Sequence, residues 1–131
     1  MSLDEARREL LGAWRLVSYE DREDPDGEWN NPFGPNPKGL VIYHPSGVLA
    51  VQVMADDGPP SGLAYVSYFG TFKIIEARDE AGVTAGVVEH HVEAGSMAEL
   101  LEEDEERPFE VSGDRLVLGD GRTWRRVLRR I

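Results

Sequence analysis

The chain contains no cysteine. Disulfides and thiolate metal sites are thereby excluded, and the redox compartment is left open. No apolar run approaches the roughly 18 residues of a membrane span. The start, MSLDEARREL, is charged from Asp4 and lacks the apolar core of a secretory signal, so the cytoplasm is the expected location by elimination. Basic charge is scarce too: 14 Lys and Arg face 25 Asp and Glu, a net charge of −11. Such a surface repels phosphate backbones and anionic lipid, so neither nucleic acid nor a membrane is an expected partner. Catalytic signatures are missing as well. There is no G-x-S-x-G, no cysteine–histidine pair and no phosphate loop; PFGPNPKG (32–39) lacks that spacing. A hydrolase or phosphotransferase is disfavoured, and no cofactor is expected.

What is present reads as one domain spanning 1–131, long enough for a single core. Ser2 and Glu5 have capping-box spacing at the head of a short helix, with Ala6, Leu10 and Leu11 as its apolar stripe. After Gly12 the pattern turns to strands separated by turns. The segment 13–20 alternates, with Trp14, Leu16 and Ser18 on one face, and 21–39 is a long loop rich in Pro, Gly, Asn and Asp. Residues 40–54 read as a hairpin turning at Pro45-Ser46-Gly47. Strands follow at 63–75 and 83–94, with EARDEAG (76–82) as the turn between them. Ser96 and Glu99 repeat the capping spacing, and Met97, Leu100 and Leu101 have that of an inner stripe, so a second short helix is expected near 97–104. The acidic run ELLEEDEER (99–107) reads as a solvated helix or loop; it lacks the alternating ligands and glycine turn of a calcium loop. Three strands with turns at 112–114 and 119–121 close the chain. The expected fold is all-β: eight antiparallel strands in sequential order, which remove their exposed edges by closing into an up-and-down barrel.

Gly12-Ala13-Trp14, just after the helix and opening the first strand, is the G-x-W of lipocalin-like barrels. More broadly, LLGAWRLVSYE, NPFGPNPKGLVIYHPSGVLAVQ, YFGTFKI, VEHHVEAGS and FEVSGDRLVL resemble, in that order, the small lipocalin-like domain family of bacteria and fungi. The resemblance implies a calycin barrel with an internal cavity, whose members are mostly uncharacterised. It also implies that Trp14 plugs one end and that an arginine from the last strand packs across it. Trp124 and Arg126 share a face in that strand, and Arg126 is taken as the clasp. The chain departs from the family pattern after Ser96, and in a shorter loop between 54 and 64.

Strand parity then assigns the interior. Glu89 and Glu93 should face water, which takes His91 outward and Val88, His90, Val92 and Ala94 inward. Neighbours on a strand point to opposite faces, so His90 and His91 do not share a metal; the remaining histidine, His44, sits beside a turn, and no metal site is expected. With Lys73 outside, Val66, Tyr68, Gly70, Phe72 and Ile74 turn inward. Gly70 either leaves room for a ligand or ring, or marks a barrel corner. The inward face of 40–54 is undecided, because both faces are apolar. If Gln52 points in, then Val48, Ala50 and Met54 do also. The candidate ligand-binding residues are therefore His90, Tyr68, Gln52, Tyr43 and Phe72, with Ser18 as a weaker addition.

Three functions fit this inventory. The first is a binding module for a small apolar or aromatic molecule. The second is a small pocket enzyme, an isomerase or cyclase, with His90 moving a proton and Tyr68 or Gln52 polarising a carbonyl. The third is a filled barrel with a structural or interaction role. A homodimer through outward Tyr65, Phe69 and Val117 is compatible with all three.

Overall fold

Ser2 starts the first element through a complete capping box. In the computed structural model, which describes residues 1–55, 65–96 and 104–131, its hydroxyl accepts the Glu5 amide at 3.0 Å while the Glu5 carboxylate reaches back to the Ser2 amide. The box orients α1 (Leu3–Leu10), which buries Ala6 and Leu10 completely against the barrel. Eight strands follow: β1 (Gly12–Asp21), β2 (Lys38–Tyr43), β3 (Val48–Met54), β4 (Tyr65–Glu80), β5 (Val83–Gly95), β6 (Asp104–Ser112), β7 (Arg115–Leu118) and β8 (Trp124–Arg130). Each pairs antiparallel with the next and β8 pairs with β1, so the barrel closes in sequence order. Among the described residues closure leaves no unpaired edge strand to recruit another chain.

α1 and Trp14 plug one end. The Trp14 indole is wholly buried, and its Nε1–H donates to the Leu10 carbonyl at 2.9 Å, holding the last turn of α1 onto β1. Leu10, Leu49, Leu116 and Leu128 are wholly buried in the same hydrophobic core. Glycine allows the strongest bends. Register shifts fall at Phe69/Gly70 and at Ile74/Glu76 along β4, where a Cβ on Gly70 would lie 1.8 Å from the His91 carbonyl oxygen and one on Gly86 2.0 Å from that of Glu76. These close backbone approaches let the long β4–β5 hairpin bend around the barrel. Gly70 is thus a corner, and the space beside it is filled by backbone.

Two expectations change here. The residues 76–80 continue β4, and the turn is only Ala81-Gly82, both with positive φ (52° and 86°). That geometry is the two-residue turn whose twist suits a hairpin. The helix expected near 97–104 falls on 97–103, outside the described residues, but Asp104 already belongs to β6. Residues 104–107 pair with His91–Val88, so this part of the acidic run is strand. The shortened loop falls mainly on 56–64, also outside the described residues. Among the described residues no helix is long and apolar enough to cross a membrane.

Candidate functional site

His90 is the centre of the interior polar cluster. It is 1% exposed on the inner face of β5, while His91 points outward and pairs with Asp104. Among the described residues no group of His, Asp and Glu is arranged to hold a metal ion. Both ring nitrogens of His90 are taken by tyrosines: Nε2 lies 2.7 Å from the Tyr43 hydroxyl and Nδ1 lies 3.0 Å from that of Tyr68. β2 brings the first tyrosine and β4 the second, so three strands converge on one imidazole. Desolvation, reinforced by the charge of Arg107, lowers the His90 pKa to about 3, so the ring is neutral at ordinary pH. Burial raises the Tyr43 pKa well above its usual value. Burial also raises that of Tyr68, against an opposing pull from the charge and hydrogen bonding of Arg107.

On one side of His90 the barrel is packed solid. Tyr43 stands edge-on to Phe72, ring centres 4.9 Å apart, and Arg7 of α1 lies over the Phe72 ring. On the other side a cavity of about 400 Å³ runs toward the end opposite α1. Its apolar wall includes Leu16, Val41, Val51, Val53 and Leu128. His90, Tyr68 and Arg107 supply polar groups, while Tyr19, Asp21, Trp124 and Arg126 line it where β1 ends and β8 begins. The Arg126 guanidinium stacks 3.4 Å from the centre of the Tyr19 ring and donates to Asp21 Oδ1 at 2.8 Å and to the Glu20 carbonyl. Arg107 and Arg126 both lie about 5 Å from the centre of the Trp124 ring. Asp120 anchors the preceding turn by accepting the Arg122, Thr123 and Trp124 amides, which sets where Trp124 emerges.

His90 and Tyr68 are brought together on the cavity wall, as parity expects. Tyr43 and Phe72 also point inward, yet they form the packed layer behind His90 and do not line the cavity. Gln52 is a correction: it is exposed, while Leu49, Val51 and Val53 are buried. Pairing of Val51 with both Val41 and Tyr68 puts those three on the inner face, which decides what two apolar faces left open. Ser18 is a second correction. A register shift between Leu16 and Ser18 reverses parity along β1, so Tyr19 and Asp21 line the cavity instead. The third is the clasp. Arg130, four residues beyond Arg126 on the same face of β8, lies 4.1 Å from the Trp14 ring centre and donates to the Glu9 and Leu11 carbonyls. Trp124 and Arg126 belong to the opposite end of the barrel. Arg107 escaped the sequence reading altogether. Period-two alternation backward from Val111 and Phe109 reaches it, but the acidic run around it reads as solvated.

A closed antiparallel barrel, stoppered by a helix and a Gly-x-Trp indole and hollow beyond a buried histidine, defines a small lipocalin-like barrel domain. The family model described as a lipocalin-like domain matches residues 11–64, from the indole plug through β3. With the closed eight-stranded barrel, that match fits the chain to a lipocalin-like family. No curated protein matches the chain.

Proposed function

We propose that this barrel binds a small molecule with an apolar or aromatic body inside its cavity. The observation that carries the reading is a hollow of about 400 Å³ with an apolar wall and polar groups gathered at Tyr68, His90 and Arg107. That volume falls at the small end of the roughly 300–1,000 Å³ of small-molecule sites, which have the same mostly apolar lining with few polar groups. A filled barrel would have no such space. The isomerase or cyclase reading is the less favoured one, because an acid–base histidine works best near the operating pH, and His90 titrates at about 3 with both nitrogens engaged.

Native mass spectrometry of freshly purified protein, beside the same sample denatured, tests the binding reading. A discrete mass lost on denaturation is the expected result. For protein purified empty, the uncharged fluorophore N-phenyl-1-naphthylamine should brighten on binding, and filling the cavity by Val51→Trp should abolish the signal. An empty mass combined with no fluorescence response in the wild-type protein overturns the reading.

A further inference from the structure

The polar cluster contains more protons than its own hydrogen bonds use. Neutral His90 has one N–H, and the Tyr43 and Tyr68 hydroxyls have one proton each, but only two hydrogen bonds join the three groups. One hydroxyl proton must point elsewhere. If Nε2 carries the imidazole proton, it donates to Tyr43, and the Tyr43 O–H is stranded in a site with 0% exposure and no second polar partner among the described residues. Stranding a buried donor costs about 1–3 kcal/mol. If Nδ1 carries the proton, Tyr43 donates to Nε2, Nδ1–H donates to Tyr68, and the spare proton is that of Tyr68. Tyr68 lines the cavity. The second arrangement leaves the spare donor on a residue of the cavity wall, where a bound molecule can accept it.

Tyr68 is not alone in offering a donor there. Arg107 lines the same cavity, and its positive charge acts on the Tyr68 hydroxyl. Its acidic neighbour, Glu105, approaches only to 3.7 Å, beyond a direct hydrogen bond, and the Arg107 side chain is 23% exposed. The other charged pair on the wall, Arg126 and Asp21, is closed on itself at 2.8 Å. Tyr68 and Arg107 thus bring a hydroxyl and a guanidinium to one apolar-walled cavity, a pairing that suits an oxygen anion.

We propose that the ligand carries a carboxylate, held by the Tyr68 hydroxyl and the Arg107 guanidinium, with its apolar body along Val41, Val51 and Val53. This rests on the binding reading above and deepens it. The net charge of −11 makes the inference sharper, since the surface as a whole discourages anions and only this local donor pair favours one. His90 is a positioning residue: Tyr43 fixes its tautomer from behind, and the tautomer turns the Tyr68 proton toward the cavity.

Calorimetry with the intact protein and two near-isosteric probes, 1-naphthaleneacetic acid and 1-naphthaleneacetamide, separates the ideas. The acid should bind at least about tenfold tighter than the amide, the scale of one charge-assisted hydrogen bond. Arg107→Met should weaken the acid far more than the amide and so erase that preference. In the unliganded protein, the nitrogen-15 spectrum of His90 should place the proton on Nδ1. Equal binding of acid and amide, or an Arg107→Met variant that keeps the preference, overturns the carboxylate while leaving the pocket standing. A proton on Nε2 overturns the positioning role. Failure of the uncharged fluorophore and of both naphthalene probes overturns the pocket and the carboxylate together.

Discussion

The two ends of this barrel use the same pair of side chains for opposite purposes. At the stoppered end Trp14 is buried completely, and Arg130 lies across it with its donors spent on the Glu9 and Leu11 carbonyls. At the hollow end Trp124 is half-buried, and Arg126 and Arg107 flank it while lining the cavity. The difference is α1. A helix end supplies carbonyls that a guanidinium satisfies, and its apolar stripe fills the volume beneath. Where no helix covers the strands among the described residues, the same chemistry remains turned toward a cavity. The helix-capped, packed layer and the cavity therefore lie at opposite ends of one β8 strand, with Arg130 and Arg126 four residues apart.

The contrast breaks most sharply at the tryptophans. Trp14→Ala should cost about 3–5 kcal/mol in denaturant unfolding, because it removes a fully buried indole and the bond to Leu10. Trp124→Ala should cost less than half as much and should alter probe binding instead. Equal losses at both positions would mean that the hollow end is structural too. The arginines follow the same order. Arg130→Met should lower stability by about 1–2 kcal/mol through two lost carbonyl bonds, discounted for its partial exposure. Arg126→Met should move the melting midpoint less and the probe affinity more.

Acid sharpens the comparison at the layer between the two ends. The His90 pKa falls from 6.5 to about 3 on folding, so between those values the unfolded chain binds the extra proton and stability rises with pH. The contribution of neutral His90 is complete above 6.5 and is lost as pH falls toward 3, with a limiting slope of about 1.4 kcal/mol per pH unit. Tyr43, Tyr68, Arg107 and Glu105 face or adjoin the ring, and none of them is a carboxylate bonded to it. His90→Gln should flatten the stability curve between about pH 4 and 6, measured by urea unfolding. An unchanged slope would place the acid sensitivity elsewhere. The smallest effect belongs to the β4–β5 turn. Ala81 holds φ 52°, which glycine adopts without a Cβ clash, so Ala81→Gly should stabilise by about 0.5–1 kcal/mol in a thermal melt.

Much of the stoppered end was legible residue by residue. The capping box and the Gly-x-Trp entry are local patterns with one reading, and so, in the layer between the two ends, is the inward parity of Tyr68, Phe72, Val88 and His90. The hollow end was less legible. Gln52 looked like an interior donor because β3 is apolar on both faces, and only its pairing with β2 and β4 turns it out. Ser18 gave way to Tyr19 because a register shift is invisible in an alternating sequence. Arg107 was hidden in an acidic run that reads as solvent until β6 pairs with β5.

The sequence by itself determined the strand order, the helix stopper and one inward histidine, since those depend on spacings within a few residues of one another. Only the tertiary structure decided which arginine clasps which indole, which face of β3 is inside, and that tyrosines from β2 and β4 close on His90. Those outcomes depend on strand register across the closed barrel. A shift of one residue exchanges wall for surface, and no local pattern records it.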